Sequence, residues 1–294
     1  MGFQLFLLLE KFLMLLPKSW RKLFFISLAK LAFLLLPKYK KIAQQNLDFV
    51  FADKLTQEKK DSIIRYSFKN LALNFLHLME LRQTTREKLA KRITFKNTEI
   101  IDKIHKEGRA VIYITPHYSS WELGGASLGA FIEPIIAVYK KMKNPSYEKW
   151  VLDARGNFGN TSLEKTNVIK PLIRNIKKGG ACGILFDTNL HPREGVVIDF
   201  MGHPLRQTST PAYLARKYNA AIVPACMTTD DDENYTLEVF DEIPVAHTED
   251  EQKDILEATQ KQADWLAFLL QREPKFWFWL HRRFKTDHPH IYKK

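Results

Sequence analysis

Apolar and polar positions divide the chain into three textures. In the first, "FQLFLLLEKFLMLL" (3–16) is closed by Pro17 and "LFFISLAKLAFLLL" (23–36) by Pro37. The second, over 38–51 and 57–81, has helical periodicity, with Ile63, Ile64, Phe68, Leu71, Phe75, Leu78 and Met79 at three- and four-residue intervals. From residue 109 short apolar runs take over, and they predict strands at 110–115, 135–139, 182–186, 196–200, 221–227 and 235–240. Helical patterns lie between several of them, at roughly 119–130, 145–158, 170–178 and 208–218, and a long helix follows at about 250–272. This alternation predicts an α/β fold, a mostly parallel central sheet flanked by helices. No repeat, low-complexity tract or Gly-rich phosphate loop interrupts it.

Each N-terminal apolar segment is about fourteen residues long, and both are broken by charge, at Glu10-Lys11 and at Lys30. A clean span needs ~20 apolar residues. Gln4, Lys11 and Lys18 recur every seven residues and form one polar stripe on a helix, opposite Leu, Phe and Met. A helix of that kind lies in a membrane interface with its lysines at anionic headgroups. The same pattern also suits a packed two-helix hairpin, and a true span is left open. No small-residue cleavage site follows, which argues against a signal peptide. The organisation expected is therefore a membrane-associated helical segment over 1–37 and an α/β domain over 38–294.

Charge sharpens this picture. The net charge of +12 sits at the two ends: residues 1–41 carry eight basic residues and one acid, and 272–294 carry seven and two. The 30 basic and 30 acidic residues between them cancel. Basic ends suit acidic partners and an anionic leaflet. Near the C-terminus Trp277, Phe278, Trp279, His281, Arg282 and Arg283 mix aromatic and basic residues, as an interfacial or headgroup-binding surface would. No nucleic-acid motif accompanies them. Cys182 and Cys226 stand far apart in apolar runs and read as reduced, buried core residues, which favours a cytoplasmic setting.

The stretch "ITPHYSSWELGGASLG" (114–129) offers two chemistries. His117 and Glu122 form H-x-x-x-x-E just after a predicted strand, where open α/β sheets place their ligands. Residues five apart on a helix are about 140° out of line, so the two meet only if His117 sits in the turn and folds back over the first helical turn. Pro116 and the capping candidates Ser119 and Ser120 fit such a start. Glu122 would then fix the imidazole tautomer and leave one nitrogen as a base. The alternative, G-x-S-x-G around Ser127, needs a strand running directly into the serine. Here the preceding residues are already helical, which disfavours a serine esterase or thioesterase.

"HYSSWELGG" resembles the first sequence block of the lipid A biosynthesis (late, or secondary) acyltransferases, distant relatives of the glycerolipid acyltransferases that share H-x-x-x-x-[DE]. In the same order, "YKKMKNPSYEKWVLDARGNFGN" (139–160), "IKKGGACGILFDTN" (176–189), "VVIDFMGHPLRQTSTPAYLARKYNAAIVPACM" (196–227) and "PKFWFWLHRRFK" (274–285) resemble its later blocks. "RYSFKNLALNFLHLME" (65–80) also fits. The chain departs from the pattern at Thr188, where the family commonly has Gln.

The resemblance implies a membrane-associated enzyme that moves a fatty acyl chain from acyl carrier protein to a hydroxyl of a lipid A precursor. That places it in lipopolysaccharide biosynthesis, on the cytoplasmic face of a bacterial inner membrane. A thioester is already activated, so no cofactor and no metal is expected. A lysophospholipid or glycolipid acyltransferase with the same base is the alternative. In the implied site His117 is the base and Glu122 its support. Arg155 is the charged candidate for the oxyanion. Asp187 binds a substrate hydroxyl, anchors Arg155 or serves as a strand-end structural carboxylate. Thr208 and Ser209 sit at a helix start suited to an anion or hydroxyl, or simply cap it. His288 and His290 lack ligand spacing and read as a disordered tail.

Overall fold

The computed structural model describes residues 2–166 and 168–293. Two helices, α1 (Gly2–Leu15) and α2 (Lys18–Leu35), break at Pro17 and Pro37, the positions where the sequence removes an N–H donor. Proline 37 is also the first residue of α3 (Pro37–Phe51), and α4 (Gln57–Leu81) follows, capped by the Thr56 hydroxyl. No helix among the described residues is long and apolar enough to cross a membrane.

The α/β part runs α5 (Arg86–Ala90), β1 (Ile93–Lys96), α6 (Glu99–Lys106), β2 (Val111–Thr115), α7 (Trp121–Phe131), β3 (Ile135–Tyr139), α8 (Pro145–Gly156), β4 (Thr161–Glu164), α9 (Ile169–Ile176) and β5 (Ala181–Leu185). It continues with β6 (Val196–Phe200), β7 (His203–Gln207), α10 (Thr210–Tyr218), β8 (Ala221–Thr228), β9 (Tyr235–Val239) and α11 (Glu251–Arg272). Seven strands form one sheet in the order β1-β9-β8-β2-β5-β3-β4, parallel except where β8 meets β9. The expected mostly parallel α/β sheet is what forms.

Alternation along β2 shows how the core is built. Ile112 and Ile114 pack into the layer with Leu172, Leu214, Leu266 and Leu269 from α9, α10 and α11. Val111 and Tyr113 point the other way, toward Leu73, Ile101 and Leu123 from α4, α6 and α7. Both cysteines are buried and free, as their apolar surroundings imply.

Three strands escaped the sequence reading. β1 and β4 are four-residue edge strands of mixed polarity, "ITFK" and "TSLE", β1 largely exposed and β4 mostly half-buried. β7 contains Pro204, which argues against a central strand. It pairs instead with β6 in a separate hairpin, so the 196–200 strand stands outside the main sheet. Met201 and Gly202, both at positive φ (56° and 88°), close that hairpin tightly.

The N-terminal helices pack on α4 through buried charge. Glu10, 2% exposed, takes both Arg82 Nη1 contacts at 2.6 Å and the Trp150 indole N–H at 2.9 Å. Arg21 bonds Glu80, which Arg92 also holds. Glu10 is therefore the anchor that turns one side of α1 inward. The opposite side leaves Leu5, Leu8, Phe12 and Leu15 exposed, and Trp20, Leu23 and Leu34 of α2 join them.

Candidate active site

β2 and β5 are parallel neighbours with Thr115 opposite Leu185. Two residues beyond that register the chain reaches His117 on one side and Asp187 on the other, so the sheet itself brings them together. His117 Nδ1 lies 2.7 Å from Asp187 Oδ1, and the His117 backbone N–H donates to Oδ2 at 2.9 Å. An ionised carboxylate only accepts, so Nδ1 carries a proton, and in the neutral imidazole the lone pair is on Nε2. Nε2 makes no hydrogen bond among the described residues. The imidazole is 22% exposed and edge-on to Trp121, 5.3 Å between ring centres.

Asp187 is fully buried. Burial alone would raise its carboxyl. The adjoining His117, through charge and hydrogen bond, together with His281 and the Trp277 indole N–H (2.8 Å), outweighs this and holds it well below the usual carboxylate range. The linkage sign follows. The folded-state value lies below the unfolded ~3.9, so the stabilisation is complete above that value and is lost as pH falls below it. Urea unfolding of wild type and Asp187→Asn at pH 7, 4 and 3 checks this: the stability gap between them is expected to narrow as pH drops below ~4.

Glu122 is not behind the histidine. Its oxygens are taken by Arg155 Nε at 3.0 Å and Nη2 at 2.7 Å, with the Trp121 indole at 3.2 Å. The sequence-based pairing of His117 with Glu122 is corrected by local geometry. Ser119 adopts φ +50° and Ser120 remains non-helical, so α7 starts at an angle that aims Glu122 at α8 rather than back over the turn. A non-glycine residue in that region costs about 1–2 kcal/mol. The expected capping by Ser119 or Ser120 is likewise absent, and α7 has no side-chain cap. Arg155 therefore anchors to Glu122, not to Asp187. Burial opposes its charge, but the Glu122 carboxylate more than compensates and raises its affinity for the proton.

Glu122 and Arg155 also line an apolar cavity of about 100 Å³ between α7 and the sheet. Three glycines line it: a Cβ at Gly124 or Gly183 would run into Met227 or Ile135, whereas at Gly125 it would meet open space. Trp121, which lines this cavity, also stands against His117, and a base so placed fits transfer of an apolar group to a hydroxyl. Ser127, the residue of the G-x-S-x-G string, is fully buried inside α7 and has no histidine bonded to it. The context a hydrolytic elbow requires is missing.

A family model described as bacterial lipid A biosynthesis acyltransferase matches residues 2–286. The chain belongs to this family. It is 24% identical to the lipid A biosynthesis lauroyltransferase of Escherichia coli (strain K12) over 88% of this chain and 83% of that protein. Identity to the palmitoleoyltransferase of the same strain is also 24%, over 85% and 80%. The phosphatidylinositol mannoside acyltransferase of Mycolicibacterium smegmatis is 22% identical over 77% and 74%. The protein is thus an acyltransferase.

The remaining residues of the acyltransferase singled out in the sequence fall into place unevenly. The aromatic-basic C-terminal segment is only partly a surface: Trp277, Trp279 and Arg283 are essentially inaccessible, and Phe278, His281 and Arg282 are half-buried. It threads beside the 117–119 turn instead. Tyr118 bridges Trp277, Ser119 N–H donates to Phe276 O, and Phe278 N–H donates to His117 O. His281 Nε2 approaches the Asp187 carbonyl at 3.2 Å, and Arg283 donates to the Thr188 carbonyl. Burial lowers the Arg283 guanidinium to about 10. Residue type alone does not distinguish such a buried brace from an interfacial patch. Thr208 bonds Thr210 locally, Ser209 starts α10 without capping it, and neither lines the cavity. His288 is ordered, its Nε2 on the Pro204 carbonyl and its ring against Phe49.

Proposed function

We propose that the protein transfers a fatty acyl chain from acyl carrier protein to a hydroxyl of a lipid A precursor at the cytoplasmic face of a bacterial inner membrane. The observation that carries this reading is the imidazole oriented by Asp187, edge-on to Trp121, which itself lines the apolar cavity. The acceptor oxygen attacks the thioester carbonyl carbon as Nε2 takes its proton. The tetrahedral intermediate then expels the carrier thiol, which leaves with that proton, and an ester remains. Asp187 steadies the imidazolium in between. No protein hydrogen bond is made to the N–H groups of Trp121, Glu122 or Leu123 among the described residues. They face developing negative charge at the start of α7, and Arg155 adds a positive one. Glu122 acts by holding Arg155. The lack of any need for a metal or cofactor follows from the activated donor.

The acyl chain occupies the cavity under α7, and the 1–37 segment lays its exposed Leu and Phe side chains on the anionic leaflet. Gly125 lines the cavity with open space where a side chain would stand. Gly125→Leu is expected to shift donor preference toward shorter chains, read as the ratio of kcat/KM for long against short acyl carrier thioesters. Loss of each methylene contact discriminates by roughly 1–3 kcal/mol.

A glycolipid acyltransferase stands among the relatives, so the acceptor is the point to test. Purified protein given radiolabelled acyl carrier thioester, with a lipid A precursor and lysophosphatidic acid as rival acceptors, should label the former. Label on lysophosphatidic acid alone would overturn the assignment.

A further inference from the structure

On the side of α4 that faces the turn before α7, an otherwise apolar helix face carries Asn70, Asn74 and His77 at spacings of four and three. All three are buried, as are Leu73 and Leu76 beside them. Their polar atoms converge on one dipeptide. Asn70 Nδ2 and Asn74 Nδ2 both donate to the Ser119 carbonyl, at 3.0 and 2.8 Å, and His77 Nδ1 shares a proton with the Ser120 hydroxyl at 2.7 Å. The other side of Ser119 is held by its N–H bond to Phe276 O at 2.8 Å.

Two features mark this as more than packing. The Asn74 carbonyl oxygen and the Ser119 hydroxyl are buried without hydrogen-bond partners among the described residues. Leucine at position 74 would avoid one of those losses. Ser120 stands at the start of α7, the place where a serine hydroxyl ordinarily caps the helix, yet that hydroxyl turns away to His77. Burial and the nearby Arg92, Lys18 and Lys22 keep His77 uncharged, so it serves as a fixed neutral partner and not as an ion.

We infer that Asn70, Asn74 and His77 are positioning residues for His117. They clamp the left-handed Ser119 peptide and draw Ser120 aside, which fixes the turn joining β2 to α7. That turn sets the imidazole, two residues upstream, against Asp187. It also leaves the first N–H groups of α7 uncapped, and this second effect rests on the acyl-transfer reading above.

The test compares Asn74→Leu, His77→Phe and His77→Asn with wild type; asparagine at 77 restores a polar group near the Nδ1 position. For Asn74→Leu and His77→Phe, kcat is expected to fall 10- to 100-fold with KM for the acyl thioester within twofold. For Asn74→Leu the melting temperature should stay within about 4 °C of wild type. His77→Asn should regain at least a third of the wild-type rate. In an Asn74→Leu/His117→Ala double variant, the combined loss is expected to fall well short of the product of the two single losses, because the asparagine acts chiefly through the histidine. A readout independent of substrate is the downfield proton resonance of His117 Nδ1–H, identified by its absence in Asp187→Asn. It should shift or broaden in Asn74→Leu. An unchanged resonance with wild-type kcat would overturn the inference, and so would multiplicative losses in the double variant. If wild type transfers no acyl group while the resonance responds as described, the acyl-transfer reading fails and the positioning role stands. Should Asn74→Leu not fold, Asn70→Ala leaves one donor on the Ser119 carbonyl and is expected to give the same changes at smaller size.

Discussion

His117→Ala is expected to lower kcat/KM for acyl transfer by about 10³–10⁴-fold. General-base assistance contributes typically 10²–10⁴-fold, and here removal of the ring also strands the Asp187 carboxylate. That residue is fully buried and, among the described residues, otherwise satisfied only by the Trp277 indole and the His117 backbone N–H. KM for the acyl donor should change little, since the proposed acyl site lies under α7 and the imidazole does not line it. The comparison is made on protein whose circular dichroism and melting profile show that it is folded. A variant that retains wild-type kcat/KM would remove His117 from the mechanism.

Asp187→Asn has the second largest expected effect, about 10³-fold or more in kcat/KM, and it separates this structure from the sequence expectation. The amide presents either an N–H toward Nδ1, favouring the wrong tautomer, or an oxygen without charge to stabilise imidazolium. In a serine protease triad the same change costs ~10⁴-fold. Glu122→Gln should be milder, because Glu122 reaches the reaction through Arg155 and Trp121 and has no contact with the imidazole. Side-by-side kinetics of the two variants decide which carboxylate supports the base. A larger loss at Glu122 would contradict the pairing seen here.

The α/β architecture was legible because central strands buried on both faces are continuous apolar runs. "AVIYIT", "CGILF" and "AIVPACM" announce β2, β5 and β8, and their cores match the observed strands. Edge strands lack that signature, so "ITFK" and "TSLE" passed unread. Within the site, His117, Glu122, Arg155 and Asp187 were all visible as candidates, but their pairing was not. Which carboxylate meets the histidine depends on β2 lying beside β5 and on the left-handed turn at Ser119, and neither is a local property of the sequence. Asn70, Asn74 and His77 did leave a signal: polar residues at four and three spacing inside the apolar face of the 57–81 helix. Trp277 and Arg283 left a misleading one, since an aromatic-basic run has the same composition whether it lies on a surface or braces an active site.

The central claim, that His117 drives acylation of a lipid A precursor, is tested most directly by mass spectrometry of lipid A from a strain in which this gene is deleted. One acyl mass is expected to be missing from the deletion strain. It should return with the wild-type gene and remain missing when the gene carries His117→Ala at equal protein abundance. Unaltered lipid A in the deletion strain, or full restoration by His117→Ala, would contradict the account.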